Sequence, residues 1–208
     1  MPVASPSAGT LASSPAAPRR AAARATAALV LGFLLGACAG SPVDTFDLNA
    51  AKPAPARPLR AQLRIGEPLA AVDLDSDRIL VRTGPQEVAT LAGAKWSDRL
   101  PLLVQSRLTQ TFENANLLRQ VGRRATAAAT YELDIDIRAF ELDVPHSRVK
   151  VDLAAKIVTI NGGRAVASQV FTAEAPVAST GPAAVSAALD GALSLVMTQI
   201  VAFVSARI

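Results

Sequence analysis

Residues 131–157 read YELDIDIRAFELDVPHSRVKVDLAAKI, and their period decides the fold. Tyr131, Leu133, Ile135 and Ile137 alternate strictly with Glu132, Asp134, Asp136 and Arg138, the pattern of a strand with one dry and one wet face. After Ala139 the parity slips by one residue, so that Phe140, Leu142 and Val144 are the apolar set. Such a slip predicts a β-bulge near residues 138–140. Val149, Val151, Leu153, Ala155 and Ile157 then alternate without interruption. With Pro145-His146 as the turn, Asp143 faces Arg148 and Glu141 faces Lys150. Allowing for the bulge, Arg138 faces Asp152 and Asp134 faces Lys156. Four opposite-charge pairs in one register predict an antiparallel hairpin.

Working outward, Asn161-Gly162 supplies the turn into a third strand over 164–174. Upstream, strands are expected at 60–66, 78–83 and 86–92, and a helix at 98–118. Leu100, Leu103, Val104, Leu108 and Phe112 line one face of that helix, with Arg107, Gln110 and Glu113 opposite. Val185, Ala188, Leu189, Ala192, Val196, Ile200 and Phe203 place a last helix over 183–205, apolar on more than one side and therefore well buried or packed against a partner. The expected fold class is α+β: an antiparallel meander with two main helices beside it, in a single domain over residues 59–208. Residues 39–58, with Pro42, Pro53, Pro55 and Pro58, read as a linker reaching about 25 Å as coil or about 60 Å if polyproline-like.

The N-terminus has a different character. Arg19, Arg20 and Arg24 stand among residues 1–26 without an acidic partner, and Ala27 to Ala37 is an unbroken apolar run. Eleven helical residues span about 16 Å, roughly half a bilayer core, which marks an export signal rather than a membrane span. Ala21-Ala22-Ala23 after the arginine pair favours an ordinary basic flank over a twin-arginine signal. The run ends at Leu35-Gly36-Ala37-Cys38, which resembles the lipobox of bacterial lipoproteins. The expectation is a signal peptide over 1–37, acylation of Cys38, and an acylated tether over 38–58. Ala39 rather than Asp after the cysteine implies, by the lipoprotein sorting pattern, the outer membrane with the chain facing the periplasm.

Composition excludes much chemistry. The 208 residues include one Cys, one His, one Trp and one Tyr, with 21 Lys+Arg against 17 Asp+Glu for a net charge of +4. One Cys excludes an internal disulfide and any cysteine-cluster metal site, and one His excludes a two-imidazole site. His146, beside Ser147 and near Asp143, is the single acid–base candidate and reads as an exposed turn residue. Asp73, Asp75 and Asp77 resemble the start of a calcium loop, but its sixth and twelfth positions are Arg78 and Gly84, so the motif fails. Gly162-Gly163 lacks the Lys-Ser/Thr of a phosphate loop. Lys95, Arg99, Arg107, Arg119, Arg123 and Arg124 form a candidate basic face for anionic lipid or an acidic partner, without the aromatics of a nucleic-acid binder. No catalytic residue, cofactor site or metal site is expected.

The order of these features resembles the ABC-type transport auxiliary lipoprotein family, which includes PqiC-like components of Mce-type lipid transport systems. The resemblance rests on Cys38, on Phe46-Asp47-Leu48 where the family often has Tyr-x-Leu, and on Arg78-Ile79-Leu80-Val81-Arg82. It rests also on the Trp96-Ser97-Asp98-Arg99-Leu100-Pro101 lead-in to a helix, on Tyr131-Glu132-Leu133, and on the Ala-rich last helix. It implies an outer-membrane, non-enzymatic auxiliary component that works with an Mce-domain protein and an ABC ATPase–permease on phospholipid or other hydrophobic cargo. A homo-oligomer is compatible with it. The alternative is a lipoprotein activator or assembly factor for a cell-envelope enzyme or outer-membrane complex, with the same anchor and no chemistry of its own.

Overall fold

The computed structural model describes residues 43–55, 59, 61–117, 121–122 and 129–208, with the side chains of Val121 and Gly122 left aside. Residues 1–37, expected to be a signal peptide, and Cys38, Arg119, Arg123 and Arg124 lie outside the described residues. Among the described residues, nine strands make one mixed sheet: β1 (Asp44–Phe46), β2 (Leu63–Ile65), β3 (Leu69–Ala70), β4 (Arg78–Arg82), β5 (Val88–Trp96), β6 (Val121–Gly122), β7 (Tyr131–Asp143), β8 (Arg148–Thr159) and β9 (Ala165–Pro176). Two helices among the described residues, α1 (Leu100–Asn114) and α2 (Pro182–Ser205), complete the α+β fold.

β7 is the spine. One of its edges pairs antiparallel with β8 along its length, and β9 pairs antiparallel with β8. Its other edge is shared by three short parallel strands: β2 beside Tyr131–Leu133, β3 beside Asp136–Ile137 and β4 beside Glu141–Asp143. β5 adds antiparallel to β4, β1 adds parallel to β5, and β6 lies parallel to β2. The antiparallel meander expected from the sequence is therefore β7–β8–β9 alone. The rest of the sheet is mixed, because short strands too brief to show a period join it in parallel.

The hairpin register agrees with the sequence at Asp143–Arg148, Glu141–Lys150 and Asp134–Lys156. It differs at the bulge, where Ala139 rather than Arg138 faces Asp152. Arg138 is the extra residue, exposed and paired with Asp136 at 3.3 Å. Skipping it keeps Ile137 and Phe140 on the same face, which is the apolar demand that the parity slip encodes. Glu141 also departs from expectation. It is 4% exposed, and its carboxylate accepts from Arg82 Nε at 2.6 Å and Arg82 Nη2 at 3.0 Å across the β4–β7 ladder, not from Lys150.

Val149, Val151, Leu153, Ala155 and Ile157 of β8 and Phe171 of β9 form the floor on which α2 lies. Val185, Leu189, Ala192, Leu193, Val196, Met197, Ile200 and Val204 are buried against it. By length and composition α2 could cross a membrane, yet half of its most apolar window is buried inside the fold, as befits a core helix. Trp96 packs edge-on against Phe140, with centroids 5.7 Å apart, and Leu100 and Pro101 open α1 directly behind it. In that arrangement the indole closes the sheet end, and proline fixes the first turn of the helix.

α1 stops at Asn114, four residues before the expected end. Asn116 adopts φ 63°, Leu117 N–H donates to Phe112 O at 3.1 Å, and Asn116 N–H donates to Glu113 O at 3.0 Å. These two bonds are a Schellman cap, sealed by the buried Leu117 and Phe112.

Candidate functional site

The segment expected to be a tether is largely part of the fold. Asp44–Phe46 is strand β1, and Leu48 and Ala51 are each 2% exposed. Phe46 O accepts from Ser97 N–H at 2.7 Å, which ties β1 to the end of β5. Asp47 accepts from Leu48 N–H at 2.8 Å, Ser97 Oγ at 3.1 Å and Arg107 Nη2 at 2.6 Å. Burial pushes its carboxyl up, but these donors and the Arg107 charge outweigh it and hold the carboxyl below the ordinary aspartate value. Asn49 donates from its backbone N–H and from Nδ2 to the Asp190 carboxylate, at 2.6 and 2.9 Å. Ala51 N–H donates to Thr111 Oγ1 at 3.0 Å, and Asn114 Nδ2 donates to Ala51 O at 2.7 Å. Residues 46–51 are thus clamped to β5, α1 and α2 together. Composition hid this, because proline and alanine read as linker. A signal that could have revealed it is Asp190, the one charged side chain in α2.

The acid–base candidate lies where it was expected, in the β7–β8 turn. His146 Nδ1 sits 2.8 and 2.9 Å from the two carboxylate oxygens of Asp143, and its side chain is 64% exposed. Asp143 also accepts from Arg148 Nε at 3.4 Å, and Arg148 Nη1 donates to Glu174 at 2.6 Å. The hydrogen bond from His146 is the main influence holding the Asp143 carboxyl below its ordinary value, against an upward push from burial and with help from Arg148. Together with Arg82–Glu141, these groups form a chain of ion pairs across β4, β7, β8 and β9. Ser147 makes no contact with the imidazole within this network, so nothing here arranges a nucleophile against a base.

The acidic and basic candidates meet one another. Asp75 accepts from Arg99 Nε at 2.9 Å, Glu67 lies 3.4 Å from Arg99 Nη1, and Asp77 lies 3.7 Å from Lys95 Nζ. Asp73 offers its backbone carbonyl to Ser76 Oγ at 3.1 Å. Of the basic face, Lys95, Arg99 and Arg107 each have a carboxylate, so within the described residues that face is an ion-paired surface rather than an open cationic one.

Two grooves remain. One of about 480 Å³ runs between Pro53–Pro55 and the last turns of α2, along Thr198, Val201 and Ala202. The other, about 630 Å³, crosses the helix-free face of the sheet between Leu69, Asp134, Arg138, Lys156 and Val170. In the second, burial and the neighbouring Glu132 push the Asp134 carboxyl up against the pull of Lys156 and Arg64.

A family model described as the ABC-type transport auxiliary lipoprotein component matches residues 46–201. The chain belongs to this family. Among solved structures, a protein from Xanthomonas campestris assigned to DUF330 is 32% identical over 79% of this chain and 96% of its own, with a TM-score of 0.71. A second crystal structure, of an uncharacterized protein, shares the fold at 11% identity and a TM-score of 0.63, covering 77% of this chain and 97% of that one. An uncharacterized protein of Bradyrhizobium diazoefficiens is 34% identical over 169 residues. That match takes in 78% of this chain but spans only 45% of the longer relative. Within the auxiliary family, the clamp of residues 46–51 has a plain reading: the matched region begins at β1, so the N-terminal segment is part of the domain.

Proposed function

We propose that this chain is a lipoprotein acylated at Cys38 and held on the periplasmic side of the outer membrane. There it acts as a non-catalytic auxiliary subunit of an ABC transport system of the Mce type for phospholipid or similar hydrophobic cargo. One observation carries this reading: the auxiliary-family match starts at residue 46, just downstream of the Leu35-Gly36-Ala37-Cys38 lipobox. The mature chain would run from Cys38 through a remnant tether into the folded domain. Two or more acyl chains on Cys38 give stable anchoring where one chain gives only marginal binding. ATP hydrolysis would take place in a separate subunit. This chain would contribute position: a rigid α+β body held at the membrane, against which an Mce-domain partner docks.

The test is photo-crosslinking in intact envelopes followed by mass spectrometry, with the chain carrying its natural signal. The expected partners are an Mce-domain protein, an ABC permease and its ATPase, and the Cys38 peptide should carry acyl mass in the outer-membrane fraction. Recovery of a cell-wall synthase or an outer-membrane assembly complex in their place would overturn the transport assignment.

A further inference from the structure

We infer that one end of the sheet, formed by the β4–β5 turn (residues 83–87), the β7–β8 turn (144–147) and the β9–α2 loop (177–181), is the face laid against the lipid bilayer. The inference rests on the proposed acylation of Cys38. Its first support is the direction in which the chain leaves the fold. β1 is parallel to β5 with Asp44 beside Ala94, so Val43, the first described residue, stands on the Gly93 side of that pairing, towards the Val88 end of β5. That end leads into the β4–β5 turn. Because β7 is parallel to β4, and β8 and β9 pair antiparallel in turn, the β7–β8 turn and the end of β9 lie at the same end of the sheet. Val144 N–H donates to Arg82 O, and Val177 N–H donates to Ser147 O, which joins the three tips into one surface.

The second support is reach. Four residues separate Cys38 from Val43. Fully extended, that span covers at most about 18 Å. The clamp at residues 46–51 prevents any more of the chain from paying out. A tether of 60 Å would leave orientation free. One of this length keeps the domain at the membrane surface with the departing end nearest to it.

The third support is the chemistry of the tips. Thr83-Gly84-Pro85-Gln86-Glu87, Val144-Pro145-His146-Ser147 and Val177-Ala178-Ser179-Thr180-Gly181 hold one acidic side chain, Glu87, and one histidine. Val88 and Val144 are 46% and 38% exposed there. The charges just behind the tips, Arg82, Glu141, Asp143, Arg148 and Glu174, satisfy one another, so contact with lipid desolvates few bare ions. The opposite end of the sheet presents Arg164 at the β8–β9 turn, while the exposed Arg99–Asp75 and Arg99–Glu67 pairs lie beyond the far end of the β4–β5 hairpin, near the start of α1.

The acylated sulfur of Cys38 is not a free thiol, so an introduced cysteine can be labelled alone. Gln86→Cys and Arg164→Cys proteins carry an environment-sensitive fluorophore and are bound to phosphatidylethanolamine–phosphatidylglycerol vesicles with headgroup nitroxides. The expected result is strong loss of emission at position 86 and little at 164. A chain whose Cys38 acyl mass is verified, which floats with the vesicles and shows equal, reversed or absent quenching, overturns the orientation. A chain without acyl mass overturns the acylation reading beneath it. A ten-residue Gly/Ser insertion between Ser41 and Pro42 should relieve the quenching at 86; undiminished quenching there would mean that the short reach is not what holds the face down.

Discussion

Asn49 and Asp190, 141 residues apart, are joined twice: the Asp190 carboxylate accepts from the backbone N–H of Asn49 at 2.6 Å and from its side-chain amide at 2.9 Å. The N-terminal segment thus supplies both hydrogen-bond donors to the one charged side chain of α2. The bond is exposed, so its contribution is modest despite the charge. Asp190→Ala should lower stability by about 1 kcal/mol. Asn49→Ala removes only the side-chain amide bond and should cost less, and the double variant should lose little more than Asp190→Ala alone, which already removes both bonds. Urea denaturation of the three proteins measures this. Strict additivity would mean that the two residues act separately.

Arg82 and Glu141 offer a contrasting case, because Glu141 is buried and bound in two places. Arg82→Ala leaves that carboxylate without its cation and should cost about 2–3 kcal/mol. Adding Glu141→Gln to Arg82→Ala should recover part of the loss, since a neutral amide is easier to keep dry. Thermal denaturation at neutral pH distinguishes the two. A double variant less stable than Arg82→Ala alone would contradict the account.

Acid should loosen the same region. The Asp143 and Asp47 carboxyls are held below their ordinary values, by His146 and by Arg107 with its neighbours respectively. A group whose folded pKa is depressed contributes stability above its unfolded value and loses it as pH falls through the folded value. Asp134, pushed up by burial and by Glu132, works in the opposite sense and offsets part of the loss. The net expectation is declining stability below the ordinary aspartate range. Asp143→Asn should flatten this decline while lowering stability at neutral pH. Denaturant midpoints followed from pH 7 downward provide the measurement.

The sequence was most legible where one residue constrains its neighbours at fixed spacing. The alternation through residues 131–157 placed β7 and β8 and three of the four charge pairs, because a half-buried strand has only one permissible parity. Helical spacing placed α1 and α2 for the same reason. β1, β3 and β6 were not legible: strands of two or three residues have no measurable period, and their parallel partners lie far off in sequence. Over its described residues, the basic face is ion-paired for a related reason. Arg107 and Arg99 find Asp47, Glu67 and Asp75 only after the chain has folded, so counting cations along α1 overstated its charge. The clamp at 46–51 was hidden because a proline-rich composition resembles a linker whether or not it is hydrogen-bonded.

The bulge yields the most specific expectation. Ile137 faces Leu153, and Ala139 faces Asp152, so consecutive residues of β8 are matched by residues of β7 with Arg138 left over between them. Deleting Arg138 should close the ladder while keeping Phe140 and Leu142 on the buried face, where they are each 1% exposed. Deleting Asp136 removes a paired residue and should force the bulge to move or one side of the strand to turn its apolar residues outward. The Arg138 deletion should therefore fold with a loss of about 1 kcal/mol, or a melting shift of roughly 2–4 °C for a domain of this size. The Asp136 deletion should lose several times as much, or fail to fold. Circular-dichroism melting of both proteins tests the register directly. Equal losses would mean that Arg138 is not the unpaired residue.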